Sequence, residues 1–160
     1  MSDDADEEVD DVTASEATER ELTRRVGFML LDAVDGDWLR IDLMCKVVSE
    51  AHDLALTVLL SDGTSPVVPL PEAILDPVLQ LRQTMYRAGR GTWFSARWLL
   101  EPPGRMNLTY NLDWDPLWEP RLPASSWRAD LDAFPRDDEH MPDWLRVKLA
   151  EPDEGDGIDD

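Results

Sequence analysis

The residues with the most distinctive chemistry lie between Asp113 and Glu119, where acids alternate with tryptophans and prolines. Seven of the 160 residues are Trp, and three of these lie in or beside residues 113–128. Tryptophan combines a large apolar area with a polar tip and dominates protein-binding hot spots. A second interpretation stays open, in which these tryptophans cap the end of a sheet and are largely buried. The candidate partner-binding residues here are Tyr110, Asp113, Trp114, Asp115, Trp118 and Glu119.

A second acidic cluster, Asp137, Asp138 and Glu139, stands just before a helix predicted to begin near Pro142. Acidic side chains just before a helix N-terminus are stabilised by the helix dipole, so helix capping is the first explanation. Contact with a basic partner is the alternative. The three residues are therefore added to the candidate partner-binding set.

The residues that catalysis or metal binding would need are scarce. There are two histidines, His52 and His140, and no HExxH or CxxC motif. Cys45 lies on the apolar face of a predicted strand, which favours a core cysteine over a nucleophile. Glycines occur singly, so no phosphate-binding loop is predicted. Asp113, Asp115 and Glu119 lack the glycine and terminal glutamate of a calcium loop. We expect no enzyme activity, no metal and no cofactor.

The net charge of −20 is concentrated at the two ends of the chain. Residues 1–21 carry ten acids and one base, and residues 151–160 carry six acids and no base. Acidic segments with few apolar residues are typical of disorder, so residues 1–12 and 151–160 are predicted to be disordered tails. Such tails repel nucleic acid and anionic lipid; they either steer a basic partner inward or only maintain solubility.

The cellular compartment is predicted from the absence of targeting and membrane-spanning segments in the sequence. The N-terminus reads MSDDADEEVDD, without the basic start and apolar stretch of a secretory signal. No apolar run approaches the roughly 20 residues that a membrane span needs. A single cysteine fits a reducing compartment. We expect a cytoplasmic protein that binds neither membrane nor nucleic acid.

In the first half of the chain, a capping box at residues 13–16 predicts the start of a helix that ends near Gly36. Alternating apolar residues from Trp38 to Val47 predict a half-buried strand. The nearly continuous apolar run from Leu54 to Leu60 predicts a more central strand, and residues 65–68 a short third one. A central helix is predicted from Pro77, with Asp76 as its N-cap, to a stop at residue 89.

In the second half, residues 92–100 and 106–113 predict two strands joined by the turn Pro102-Pro103-Gly104-Arg105. Short helices are predicted near residues 126–133 and 142–149. Residues 13–150 are therefore predicted to form one α+β domain. It has an N-terminal helix, an antiparallel sheet of four to five strands, a central helix and short C-terminal helices.

Three segments carry a resemblance to a known family: the helix Leu75–Ala88, the run Gly91-Thr-Trp-Phe-Ser-Ala-Arg97 and the run Met106-Asn-Leu-Thr-Tyr-Asn-Leu-Asp113. Together with the Trp- and Pro-bearing segment after them, they resemble the YezG-like family of bacterial immunity proteins, which neutralise toxins of polymorphic or contact-dependent systems. Tyr110, Asp113 and Asp115 match the family's tyrosine- and aspartate-rich run, whereas Asn111 and Leu112 depart from it.

The resemblance implies an immunity protein that blocks the active site of a cognate toxin with an acidic, aromatic-bearing surface. A basic toxin is the expected partner because opposite charges speed association and fix register. We expect a monomer or weak homodimer. The alternatives are a secretion chaperone or adaptor that binds a secreted effector and, further off, an enzyme or small-ligand sensor.

Overall fold

The computed structural model describes the backbone of residues 3–152 and the side chains of residues 13–152. The N-terminal helix α1 spans Asp3–Ala33. The capping box predicted at residues 13–16 is wrong, since Thr13 lies inside the helix. No proline or glycine interrupts residues 3–12, and acids near a helix N-terminus are favourable, so the helix can begin earlier. Residues 1, 2 and 153–160 of the predicted tails lie outside the described part of the chain.

A four-stranded antiparallel sheet forms the middle of the domain, in the order β2-β1-β3-β4. The strands are β1 (Trp38–Val48), β2 (Ala51–Leu60), β3 (Ser95–Glu101) and β4 (Arg105–Asn111). In the register, Leu43 of β1 lies opposite Leu56 of β2 and Trp98 of β3. The alternation predicted for β1 is confirmed from Ile41 to Val47, but it fails at Leu39, which is 48% exposed beside a register shift between Trp38 and Arg40. The alternation predicted for the β3–β4 hairpin is confirmed. Alternate residues of each strand face α1 and the central helix α2 (Leu75–Thr84).

The core between α1, α2 and the sheet consists of these inward-facing residues and one stripe of α1. Leu22, Val26 and Leu30 recur at helical spacing, and each is at most 3% exposed. Trp93 and Trp98 are fully buried in the same core. The indole N–H of Trp98 donates to the carbonyl of Thr23 at 3.2 Å, which joins α1 to β3.

The strand β2 is at an edge of the sheet, so its predicted central position is wrong. Although Leu54–Leu60 is almost wholly apolar, Val58 is its one buried residue. The predicted strand at residues 65–68 is also wrong, because those residues lie in a loop. An Asx turn at Asp62, whose carboxylate accepts from the Thr64 amide at 2.9 Å, leads the chain away from the sheet.

The central helix begins slightly earlier and ends sooner than predicted. A short 3-10 turn, Glu72–Ile74, leads directly into α2, so Asp76 lies inside the helix and is not its N-cap. Pro77 is tolerated in the first turn because the first amide groups of a helix have no intrahelical acceptor. The helix ends at Thr84, before the predicted stop.

Beyond one end of the sheet, α3 (Ala124–Ala133), a 3-10 turn (Asp138–His140) and α4 (Asp143–Ala150) form a second cluster. Its buried members are Val48, Phe94, Trp127 and Leu145. The α+β fold, with one N-terminal helix, a central helix and short C-terminal helices, is confirmed. Within residues 3–152, no helix has both the length and the apolar character that crossing a bilayer requires.

Candidate interaction surface

The segment that follows β4, residues 112–120, contains most of the predicted site; we call it the acidic loop. Its first turn is closed by Asn111, whose side-chain oxygen accepts from the Trp114 amide at 2.8 Å while its NH2 donates to the Trp114 carbonyl at 2.9 Å. The Asp115 carboxylate accepts from the Leu117 amide at 2.9 Å. These bonds satisfy the loop backbone locally and fix its shape.

The middle of the acidic loop adopts an unusual backbone conformation at Leu117. Its φ of +59° lies in the left-handed region, which costs energy for a residue with a Cβ. Lys46 of β1 donates from Nζ to the Leu117 carbonyl at 3.0 Å and so holds this conformation from the sheet. The side chain of Leu117 is 70% exposed.

The three tryptophans of this region differ in burial. Trp114 is 76% exposed, the largest exposed aromatic side chain among the described residues. Trp118 is half-buried against the second cluster, and Trp127 is 1% exposed within it. The interpretation of buried capping tryptophans therefore applies to Trp118 and Trp127, whereas Trp114 lies on the surface, three residues before the exposed Leu117.

Asp113 and Glu119 of the acidic loop are exposed, whereas Asp115 is partly buried. Asp113 lies 3.6 Å from Arg90, an ion pair in which both side chains are about half exposed. Asp115 lies 3.5 Å from Lys148 of α4. Glu119 is exposed and makes no ion pair with the described residues. The exposed Asp113–Arg90 pair contributes at most about 1 kcal/mol, so Asp113 can exchange Arg90 for a partner's cation at little cost. The Asp115–Lys148 pair is largely buried, with 27% and 20% of its side chains exposed, so Asp115 is less available to a partner.

Tyr110 differs from the other predicted residues because it belongs to the core face of β4. It lies opposite Ala96, and its ring centre is 6.4 Å from that of Trp93. Burial, together with the negative charge of Glu19, raises the pKa of its hydroxyl to about 12. Tyr110 therefore supports the site from within the core instead of forming its exposed part.

Arg136 links the acidic loop to the second predicted cluster. Its Nη2 donates to the carbonyls of Leu112 at 2.7 Å and Thr92 at 3.0 Å, and its Nη1 donates to that of His140 at 3.0 Å. The guanidinium also lies over the Phe94 ring, 4.6 Å from its centre. Burial lowers the pKa of Arg136, an effect that the nearby Asp113 opposes.

The cluster Asp137, Asp138 and Glu139 is exposed and belongs to the same end of the domain as the acidic loop. Asp137 donates its amide to the carbonyl of Gly89 at 2.7 Å, and the His140 ring nitrogen lies 3.1 Å from the same oxygen. Sequence reasoning missed Arg136, although a single base beside a run of acids was a signal that could have identified it.

Neither acidic group has the features of a metal centre. The ligand atoms of Asp137, Glu139 and His140 lie within 4.8 Å of one another, but exposed acids often do so without an ion. The His140 Nδ1 is already beside a carbonyl. Within residues 13–152, Asp113, Asp115 and Glu119 do not form such a group.

Cys45, the one thiol of the sequence, is fully buried in the main core, which confirms its prediction as a core residue. Burial, with a smaller effect from Asp53, raises the pKa of its thiol to about 12. The thiolate needed for nucleophilic chemistry is therefore strongly disfavoured at neutral pH.

The sheet face opposite α1 and α2 adjoins the acidic loop. Its centre is a bidentate pair between Arg97 and Asp42, with N–O distances of 2.9 and 2.6 Å. Met44 lies next to Arg97 in the register and is 36% exposed. Because Lys46 and Asn111 hold the loop from this face, the loop and the face form one continuous surface.

No protein-family model matches this chain. A search of the curated proteins finds no significant match either.

Proposed function

We propose that this protein is an immunity protein that binds a cognate bacterial toxin and blocks its active site, without catalysing a reaction itself. The observation that carries the proposal is the pair of exposed apolar side chains, Trp114 and Leu117, on a loop whose backbone is fixed. An exposed Trp on an ordered backbone loses little entropy on binding, which is the property of a binding hot spot.

Pre-organisation of the loop supports this function because three side chains from outside the loop bind its backbone. Asn111 holds Trp114, Lys46 holds Leu117, and Arg136 holds Leu112. A partner that meets this loop need not order it, so more of the contact energy appears as affinity.

The charges around this pair indicate the kind of toxin. Acids of the loop flank Trp114 and Leu117, and the Arg136 contacts bring the second acidic cluster to the same end of the domain. A basic toxin surface, such as that of a nuclease, is complementary in sign and would be attracted at long range. We expect binding in the cytoplasm by a monomer or weak homodimer.

The test is co-expression with the product of the neighbouring gene, as the candidate toxin. We expect the full chain to rescue growth and to co-purify with the folded toxin domain. Trp114→Ala should weaken the complex about 30-fold, the effect of a typical hot-spot residue. Val67→Ala is a matched control, since Val67 is 99% exposed and lies in the loop after β2.

Two results would contradict the proposal. Failure of the full chain both to rescue and to co-purify would exclude a toxin-neutralising role for this pair of genes. Binding only to an unfolded or N-terminal segment of the secreted protein would instead support the secretion chaperone or adaptor.

A further inference from the structure

A groove of about 410 Å³ lies between α1 and the tip of the β3–β4 hairpin; we call it the hairpin groove. It is separate from the acidic loop and has no part in the proposed toxin contact. Most of its lining is apolar, with two arginines beside the apolar residues. The residues that matter here are Arg24, Phe28, Leu31, Trp38, Arg105 and Met106.

The groove exists because α1 passes close to the hairpin at Gly27. A Cβ at this position would lie 2.9 Å from the Met106 sulfur, so a larger residue would displace the flexible Met106 side chain from its place against α1. Phe28 and Leu31, on the same side of α1 by helical spacing, do not join the core stripe. They remain 60% and 41% exposed, and Met106 is 38% exposed.

The exposed apolar side chains of the hairpin groove lie together and form one patch, since all of them line the same groove. Arg24, Phe28 and Leu31 are separated by four and three residues, which places them in one stripe along α1. Contiguous exposed apolar patches with a polar rim are typical of protein–protein interaction sites. A stripe beside a groove is the arrangement that accepts an amphipathic segment.

The charge of the groove is opposite to that of the chain. Although the net charge is −20, two arginines line this groove, and neither Arg24 nor Arg105 makes an ion pair with any residue in 13–152. By contrast, Arg82 and Arg97 are each paired with a carboxylate. Two unpaired guanidiniums beside an apolar floor are complementary to carboxylates that accompany apolar side chains.

The hairpin groove and the acidic loop lie at opposite ends of the sheet. Arg105 begins β4 and Asn111 ends it, and six residues of strand span about 20 Å. A partner seated on the acidic loop therefore need not cover the groove, and the two surfaces favour partner segments of opposite charge.

We propose that the hairpin groove is a docking site for a segment of a partner protein that carries acidic residues beside large apolar side chains. The apolar side chains of the segment lie on Phe28, Leu31 and Met106, and its carboxylates pair with Arg24 and Arg105. Such a site would let the protein hold a second, acidic partner while the acidic loop is occupied.

The probe is a synthetic peptide, acetyl-Glu-Leu-Leu-Glu-Glu-Phe-Leu-Glu-amide, titrated into the ¹⁵N-labelled full chain. We expect saturable NMR shifts at the Trp38 indole and at the amides of Gly27 and Gly104. The same peptide with lysine in place of every glutamate should not bind. The double variant Arg24→Glu/Arg105→Glu should weaken binding at least about tenfold.

The controls separate a local effect from a change of net charge or a failure of the toxin proposal. Arg121→Glu/Arg146→Glu changes the net charge equally and should leave peptide binding unchanged. Trp114→Ala should also bind the peptide normally, whatever its effect on the toxin. Phe28→Asp should abolish peptide binding without unfolding, since this side chain is 60% exposed.

Four results would overturn the proposal. These are equal binding of the lysine peptide, shifts confined to the acidic loop, no saturable shift at about 1 mM peptide, and a peptide-free dimer that Phe28→Asp converts to a monomer. The last would show that a second copy of the chain occupies the groove.

Discussion

Arg82 of α2 and Asp130 of α3 form a bidentate ion pair, with N–O distances of 2.6 and 2.8 Å, in which both side chains are at most 4% exposed. The pair connects the two clusters of the domain. Arg82 also donates to the Trp93 carbonyl at 2.7 Å, and Asp130 accepts from the Ser49 amide at 2.8 Å. Each guanidinium nitrogen of Arg82 and each carboxylate oxygen of Asp130 thus has a hydrogen-bond partner, as a buried charge requires.

Removing one member of this pair should be strongly destabilising. We expect Arg82→Met to lower the free energy of unfolding by about 3–5 kcal/mol, because Asp130 is then left buried without its counter-charge. Urea denaturation monitored by tryptophan fluorescence measures this change. The double variant Arg82→Met/Asp130→Leu should recover part of the loss; if it is no better than the single variant, the uncompensated charge is not the cause.

Arg136→Met should loosen the acidic loop while leaving the fold intact. Its three carbonyl contacts disappear, and part of its packing on Phe94 is retained. We expect faster amide hydrogen exchange at residues 112–120 and 138–141, and weaker toxin binding with an unchanged sheet. Arg121→Met is the control, since Arg121 is exposed. Exchange that rises equally throughout the domain would indicate global destabilisation instead.

Gly89 and Gly63 form a matched pair for testing a close contact. Gly63 has a φ of +87° and Gly89 a φ of +79°, so an alanine would be strained at either position. A Cβ at Gly63 meets nothing within 4 Å, whereas one at Gly89 would overlap the Asp137 carboxylate. We expect Gly63→Ala to cost about 1 kcal/mol and Gly89→Ala about 1 kcal/mol more. Equal costs in thermal denaturation would show that Asp137 moves freely.

Stability should fall at alkaline pH. The pKa values of Cys45 and Tyr110 are raised to about 12 in the folded chain, so the unfolded chain loses these protons first. Their contribution is complete below about pH 8.5 and is lost as pH rises towards 12, with a slope of up to about 1.4 kcal/mol per pH unit and group. Cys45→Ala should reduce the slope between pH 9 and 10, measured by urea denaturation. An unchanged slope would contradict the raised thiol pKa.

Local patterns were sufficient to predict most of the elements but not their positions in the sheet. The alternation in β1 and the proline-glycine turn of the hairpin each depend on neighbouring residues. The edge position of β2 depends instead on long-range pairing, which an apolar run such as Leu54–Leu60 does not encode. Its apolar character suggested burial on two faces, whereas one face packs on the helices.

The candidate site was predicted less completely, for a similar reason. Trp114 and Trp118 have similar neighbours in the sequence, yet one is exposed and the other packs on the second cluster. The difference lies in long-range packing, because Trp118 contacts a cluster whose members Val48 and Leu145 are far from it in the chain. Arg136 stands out in the sequence as a base beside a run of acids, but its partners are carbonyl oxygens, which no sequence pattern identifies.

The anchors of the acidic loop have one further consequence. Asn111, Lys46 and Arg136 bind main-chain atoms of residues 112, 114 and 117, and none of these bonds uses a side chain of those three residues. Apart from the Asp115–Leu117 turn, the shape of the acidic loop is therefore fixed by residues outside it. Replacing Trp114 would change the side chain offered to a partner and leave the backbone conformation of the loop intact. The same scaffold could therefore be redirected to another target by very few substitutions.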